Sequence, residues 1–133
     1  MNISAAAAAS GLSSKTIRYY EDIELIPPAS RSDNGYRYYD VSAVEQLRFV
    51  HQARLVGFSV AECRQLLELQ SNSQRHSAHV KSLVLEKCDQ LEQRIKELLQ
   101  MQSMLRDLAS RCSGNEGPDC AILDELGRGG AHE

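Results

Sequence analysis

An apolar residue recurs every seventh position at Val84, Leu91, Leu98 and Leu105. Taken as d positions, these put Lys81, Cys88, Ile95, Gln102 and Ala109 at a. Apolar residues at every d and at several a positions, with charges between, form the seam of a coiled coil. No Gly or Pro interrupts residues 80–112. The spacing therefore predicts one unbroken helix, on the order of 45 Å long. In so short a chain such a helix cannot bury its own stripe, which predicts a partner helix. The bland alternative is an amphipathic helix packed on its own domain. Direction matters: in an antiparallel pair, a residues of one helix face d residues of the other. With Ile95 opposite Leu91, Ser77 comes opposite Ala109; with Ile95 opposite Leu98, it comes opposite Glu116. Both registers bring one chain's Ser77 within about one helical turn of the other's Cys112, whereas a parallel pair keeps them apart. Gln102 at an a position is the kind of polar residue that fixes register at some loss of stability.

A chain of 133 residues allows one domain, or a small head with an extended arm. The four cysteines, the absence of a basic leader and the lack of an apolar run of membrane length predict a soluble, cytoplasmic protein. In a reducing compartment paired cysteines are more often metal ligands or redox groups than structural disulfides. The net charge of −3 looks wrong for a nucleic-acid binder until it is divided along the chain. Residues 1–60 carry six basic and six acidic side chains, 61–110 seven and seven, and 111–133 two and five. The tail holds the whole imbalance, so DNA binding by the neutral head depends on arrangement rather than bulk charge. All Tyr and Phe residues lie between Tyr19 and Phe58.

In the head, Ser4 is placed to cap a short helix over Ala5 to Ser10, with Gly11 as its left-handed terminator. A second helix is predicted from Ser13 or Ser14 to about Ile23, with Ile17 and Tyr20 inward. Helix, glycine turn, helix is the helix-turn-helix pattern. Lys15, Thr16, Arg18 and Tyr19 lie on the outward face, where they suit phosphate and base-edge contacts in a major groove; a merely solvated face is the plain alternative. Pro27 and Pro28 stop the helix. Asn34-Gly35 is the preferred pair for a two-residue type I′ turn, which predicts a hairpin wing with Arg31 and Arg37 near its ends and tyrosines at Tyr36, Tyr38 and Tyr39. Some of those tyrosines should cover the core. Two capping boxes follow, Ser42 to Glu45 and Ser59 to Glu62, opening a second helix pair that ends near Gly57 and Leu69. Cys63 falls on an apolar face and reads as a core residue. Arg48 and Arg54 are either DNA contacts or surface charges.

The string Thr16-Ile17-Arg18-Tyr19-Tyr20-Glu21, with Asn34-Gly35-Tyr36-Arg37, the second helix pair and the long helix, resembles the MerR family of transcription regulators along the entire chain. The resemblance implies a mainly α fold: a winged helix-turn-helix head over residues 1–69 (helix-turn-helix about 4–23, wing about 31–39), a dimerisation helix over 75–111 forming an antiparallel coiled coil, and a metal-binding loop and short helix over 112–133. It implies a homodimer on a near-palindromic operator, activating by distortion of an overlong promoter spacer so that RNA polymerase engages both elements. Carried over by motif, the DNA-facing residues are Lys15, Arg18, Tyr19, Arg31, Asn34, Tyr36, Arg37 and Arg54. The run Ala5 to Ala9 departs from the acidic or other polar residues usual in relatives.

After the long helix, Cys112 and Cys120 flank a loop containing Gly114, Gly117 and Pro118. Cys120 opens a short apolar stretch, and a helix N-terminus favours the thiolate, the species that binds metal. Thiolates select soft ions such as Cu(I), and two sulfurs suffice for a monovalent d¹⁰ ion, whereas Zn²⁺ normally takes four ligands. A disulfide and two unrelated cysteines are the alternatives. In the family, this loop is where metal-sensing members keep their ligands. The cysteine pair, with Ser77 at the helix start, is similar to the copper-efflux branch, which senses Cu(I), Ag(I) and Au(I). Zinc- and mercury-responsive relatives carry a cysteine at the place matching Ser77. Lys81 of a partner would help to compensate a −1 site. Cys88, His76 and His79 are less suited as ligands. A sensor of divalent soft metal (Zn, Hg, Cd, Pb) or of thiol oxidation is the runner-up. A metal buffer or a thiol enzyme leaves residues 1–69 unexplained, and no base is poised beside a nucleophile.

Overall fold

The structure is a computed structural model in which residues 1–31 and 35–128 are described. The chain divides into two compact units, Met1–Lys87 and Cys88–Glu133. The first opens with α1 (Ile3–Ser10) and α2 (Ser14–Asp22). Asn2, rather than Ser4, caps α1: its side-chain oxygen accepts the Ala5 N–H at 2.9 Å. Asn caps as well as Ser does, and starting there brings Ile3 against the core. Gly11 ends α1 at φ +84°, and a Cβ there would lie 2.9 Å from the His51 ring, so the turn requires glycine on two counts. Ser13 caps α2 through the Thr16 N–H, and Ile17 and Tyr20 are buried as expected.

The wing is an antiparallel pair, β1 (Ser30–Arg31) and β2 (Arg37–Tyr38), with Ser30 opposite Tyr38 and Arg31 opposite Arg37. A two-residue turn at Asn34-Gly35 would set Arg31 opposite Tyr38, whereas the ladder pairs it with Arg37. Asn34 lies outside the described residues; Gly35 has φ +83°. Tyr39 is the wing tyrosine that enters the core, at 1% exposure.

Helix α3 (Val41–Leu55) is capped by Asp40, whose carboxylate accepts the Ala43 N–H at 2.8 Å. The expected box at Ser42 is not used: a charged acceptor two residues earlier starts the helix before Ser42 can cap it. The box at Ser59 forms in both directions and opens α4, which runs Val60–Ser71, past the expected end at Leu69. Val44, Leu47, Val50, Ala53 and Cys63 close the core over α1 and α2.

Helix α5 (Ser77–Arg111) is unbroken and crosses from the first unit into the second. Its first turns serve the head. Val80 and Leu83 are half-buried, and Lys87 reaches Glu62 at 2.8 Å while lying 5.4 Å over the Phe58 ring. The seam residues beyond are bare in the protomer: Leu91 is 39% exposed, Ile95 57%, Leu98 54% and Leu105 64%. The residues that pack on the head lie beside the stripe rather than on it: its own Val84 is 44% exposed, and Lys81 and Cys88 are exposed as well. The second unit also holds α6 (Ala121–Gly127).

Candidate functional site

Helix α2 presents Lys15, Arg18 and Tyr19 to solvent on the face opposite Ile17 and Tyr20, with Tyr19 51% exposed. Its inner face also carries Glu21, whose side chain is 5% exposed. That carboxylate accepts from Arg37 Nη1 at 3.1 Å and from the Tyr39 hydroxyl. Arg37, expected only as a phosphate contact, is therefore also an internal tether. Beside the carboxylate, and buried, the Tyr39 phenol is pushed up from 10 to about 12. Desolvation is the larger cause, ahead of Glu21.

The other wing arginine, Arg31, donates from Nη1 to the Gly35 carbonyl at 2.9 Å. Tyr36 and Tyr38 stand out to solvent at 73% and 50% exposure. Arg54 is exposed but donates to the Phe58 carbonyl at 3.0 Å, which closes the turn after α3. Arg48, exposed as well, donates to the Ala9 carbonyl at the end of α1. Two residues escaped the sequence reading. Arg64 of α4 donates to the Ile23 and Glu24 carbonyls, seating the end of α2, where Glu24 sits at φ +60°. Glu21 was legible in principle: it follows Ile17 by four and Tyr20 by one, on the apolar face of an amphipathic helix.

In the second unit, Cys112 follows the last residue of α5 and Cys120 precedes the first of α6. Their sulfurs stand 3.7 Å apart and are not bonded as a disulfide. The Cys120 thiol is held below its ordinary value, first by the Leu123 N–H at the start of α6, then by Cys112 and the Ile122 N–H; partial desolvation and Asp124 oppose the shift. Arg111 ties the two helices, lying 2.7 Å from Asp107 and 3.8 Å from Glu125. No group of three or more His, Cys, Asp or Glu side chains suited to a metal occurs among the described residues. Two sulfurs 3.7 Å apart are a soft donor pair that could hold a thiophilic ion. Ser77 and Lys81 are exposed on the first turns of α5. Cys63 is buried, and burial raises its thiol, as befits a core residue. Cys88, His76 and His79 are exposed.

No helix among the described residues is long and apolar enough to cross a membrane. Residues 1–70 match the profile of the MerR HTH family regulatory protein, and residues 44–108 that of the MerR DNA-binding region. The chain is 49% identical over 126 residues to the HTH-type transcriptional regulator CueR of Yersinia pestis, covering 95% of this chain and 91% of that one. It is 49% identical over 129 residues to HmrR of Rhizobium leguminosarum bv. viciae, covering 97% and 99%. Among solved structures, the regulator PbrR691 from Ralstonia metallidurans CH34, in complex with lead(II), superposes with a TM-score of 0.81 at 29% identity, covering 95% and 98%. These likenesses run through the head, the long helix and the cysteine loop alike, and the relatives are transcription regulators rather than enzymes: the chain belongs to the MerR family of helix-turn-helix transcription regulators.

Proposed function

We propose that this protein is a metal-responsive transcription activator that binds Cu(I), Ag(I) or Au(I) through Cys112 and Cys120. On this reading it switches a promoter for copper-efflux or resistance genes by distorting its operator. Regulators of this family bind promoter DNA as dimers, and here residues 1–69 form the DNA-binding domain, 75–111 the dimerisation helix and 112–133 the sensing segment. Lys15, Arg18, Tyr19, Arg31, Asn34, Tyr36, Arg37 and Arg54 contact DNA, and RNA polymerase is the partner that reads the distortion. The observation that carries the metal assignment is the unbridged sulfur pair at 3.7 Å with a thiol favoured as thiolate. It stands in a chain 49% identical to CueR and to HmrR. Two thiolates on a monovalent ion leave a net −1, which the start of α6 and the partner's Lys81 offset. Ser77 of the partner adds no third thiolate, so a divalent ion gains nothing there.

The lead(II) complex of the structural relative favours a second reading, a sensor of a divalent soft metal. Metal titration of the reduced dimer separates them. One Cu(I) per protomer, lost in Cys112→Ser and Cys120→Ser, supports the proposal; tight Zn²⁺ or Pb²⁺ binding by the parent contradicts it.

A further inference from the structure

We infer that Glu21 is a positioning residue for DNA binding: its buried carboxylate holds the wing's Arg37 in a fixed place relative to α2, so that recognition helix and wing meet the phosphate backbone as one piece. The inference rests on reading α2 and the wing as the DNA face. Glu21 is the buried acid that helix-turn-helix packing alone does not require; an apolar residue would fill the site beside Ile17 and Tyr20 without desolvation cost. Its two oxygens instead reach the next structural element. One takes Arg37 Nη1 at 3.1 Å, the other the Tyr39 hydroxyl. Tyr39 cannot drift to relax the arrangement. Its ring is buried, its N–H donates to the Met1 carbonyl at 2.7 Å, and its own carbonyl accepts the Met1 ammonium at 2.8 Å.

The wing itself shows why placement matters. Arg31 and Arg37 face each other across the ladder, and like charges so placed repel. A hairpin serving only to cover the core gains nothing from that pair, but a polyanion lying across it does. Glu21 offsets one of the two charges and fixes where that guanidinium sits, while 40% of the Arg37 side chain remains exposed. The planar fork lets arginine serve a carboxylate along one edge and a phosphate along another.

The test is a double-mutant cycle with Glu21→Gln and Arg37→Ala, using a duplex selected from random sequence by the parent dimer. Kd is measured over a range of salt, with sedimentation and thermal melting to check each variant. Each single change is expected to weaken binding roughly tenfold and to flatten the log–log salt slope by about one unit. The double variant is expected to bind no worse than Arg37→Ala alone. If Arg37→Ala does not fold, Arg37→Met, which keeps an apolar stem but cannot donate to Glu21, takes its place in the cycle. Equal losses from Glu21→Gln with and without Arg37 would reduce Glu21 to a structural residue, and unchanged or tighter binding would remove it from the interface altogether. A parent that selects no duplex overturns the DNA-binding reading as well; additive losses overturn the positioning role alone.

Discussion

Lys87 is where the long helix is fastened to the head, and replacing it with methionine isolates the charge from the packing. Methionine keeps the apolar stem over Phe58 but removes the ammonium. Among the interactions lost are the 2.8 Å pair with Glu62 and the cation–π contact at 5.4 Å. The pair is mostly sheltered, Lys87 at 11% and Glu62 at 31% side-chain exposure, so it belongs at the upper end of the range for exposed pairs, about 1 kcal/mol. The ring contact adds about 0.5 kcal/mol. Lys87→Met should therefore destabilise the full-length dimer by roughly 1–2 kcal/mol per protomer near neutral pH, read by urea unfolding. The acid side supplies a sharper check. The Lys87 ammonium, then the Ser59 N–H, hold the Glu62 carboxyl below its ordinary 4.5. A depressed folded-state value means stability that is in place above 4.5 and lost as pH falls below it. The deficit of Lys87→Met should thus shrink on acidification. A deficit that is absent at neutral pH, or that does not shrink as pH falls below 4.5, would refute the fastening.

Leu98→Lys should dissociate the dimer and with it abolish operator binding, because each copy loses burial of a leucine now 54% exposed, on the order of 1 kcal/mol, and must desolvate an ammonium; an undisturbed dimer in sedimentation would mean that the stripe packs elsewhere. Gly11→Ala should lower stability by about 1–2 kcal/mol from its left-handed backbone alone, with a further contribution from His51 that His51→Ala removes, both followed by thermal melting. Above pH 10 the head should weaken progressively toward pH 12, since the raised Tyr39 value keeps the folded state protonated where the unfolded chain has ionised; Tyr39→Phe should lack this alkaline loss in a pH series of unfolding curves.

The elements most readable in the sequence were those whose signals are local. The leucine repeat, the Gly11 turn and the Ser59 box depend on residues a few positions apart, and each stands where the spacing put it. Where two local signals competed, the stronger acceptor won: Asp40 began α3 before Ser42 could, and Asn2 began α1 before Ser4. The wing's register, with Arg31 opposite Arg37, was not legible, because strands of two residues each enforce a pairing only weakly. Long-range polar contacts were not legible. Arg48 to Ala9, Arg64 to Glu24, and Arg37 to Glu21 join residues 39, 40 and 16 positions apart, and nothing in an exposed arginine's neighbours announces which carbonyl or carboxylate it will find. Of the candidate metal site, the cysteine spacing was legible; the closeness of the sulfurs was not, because it depends on how the loop returns α6 to the end of α5.

The most direct test of the central claim is promoter transcription in vitro, with RNA polymerase and the reduced dimer, titrated in parallel with Cu(I), Ag(I), Zn²⁺ and Hg²⁺. Activation by Cu(I) and Ag(I) alone is predicted, lost in Cys112→Ser and Cys120→Ser although both still bind the operator, with Ser77→Cys extending the response to Zn²⁺ or Hg²⁺. Activation of the parent protein by Zn²⁺ as readily as by Cu(I) would contradict it.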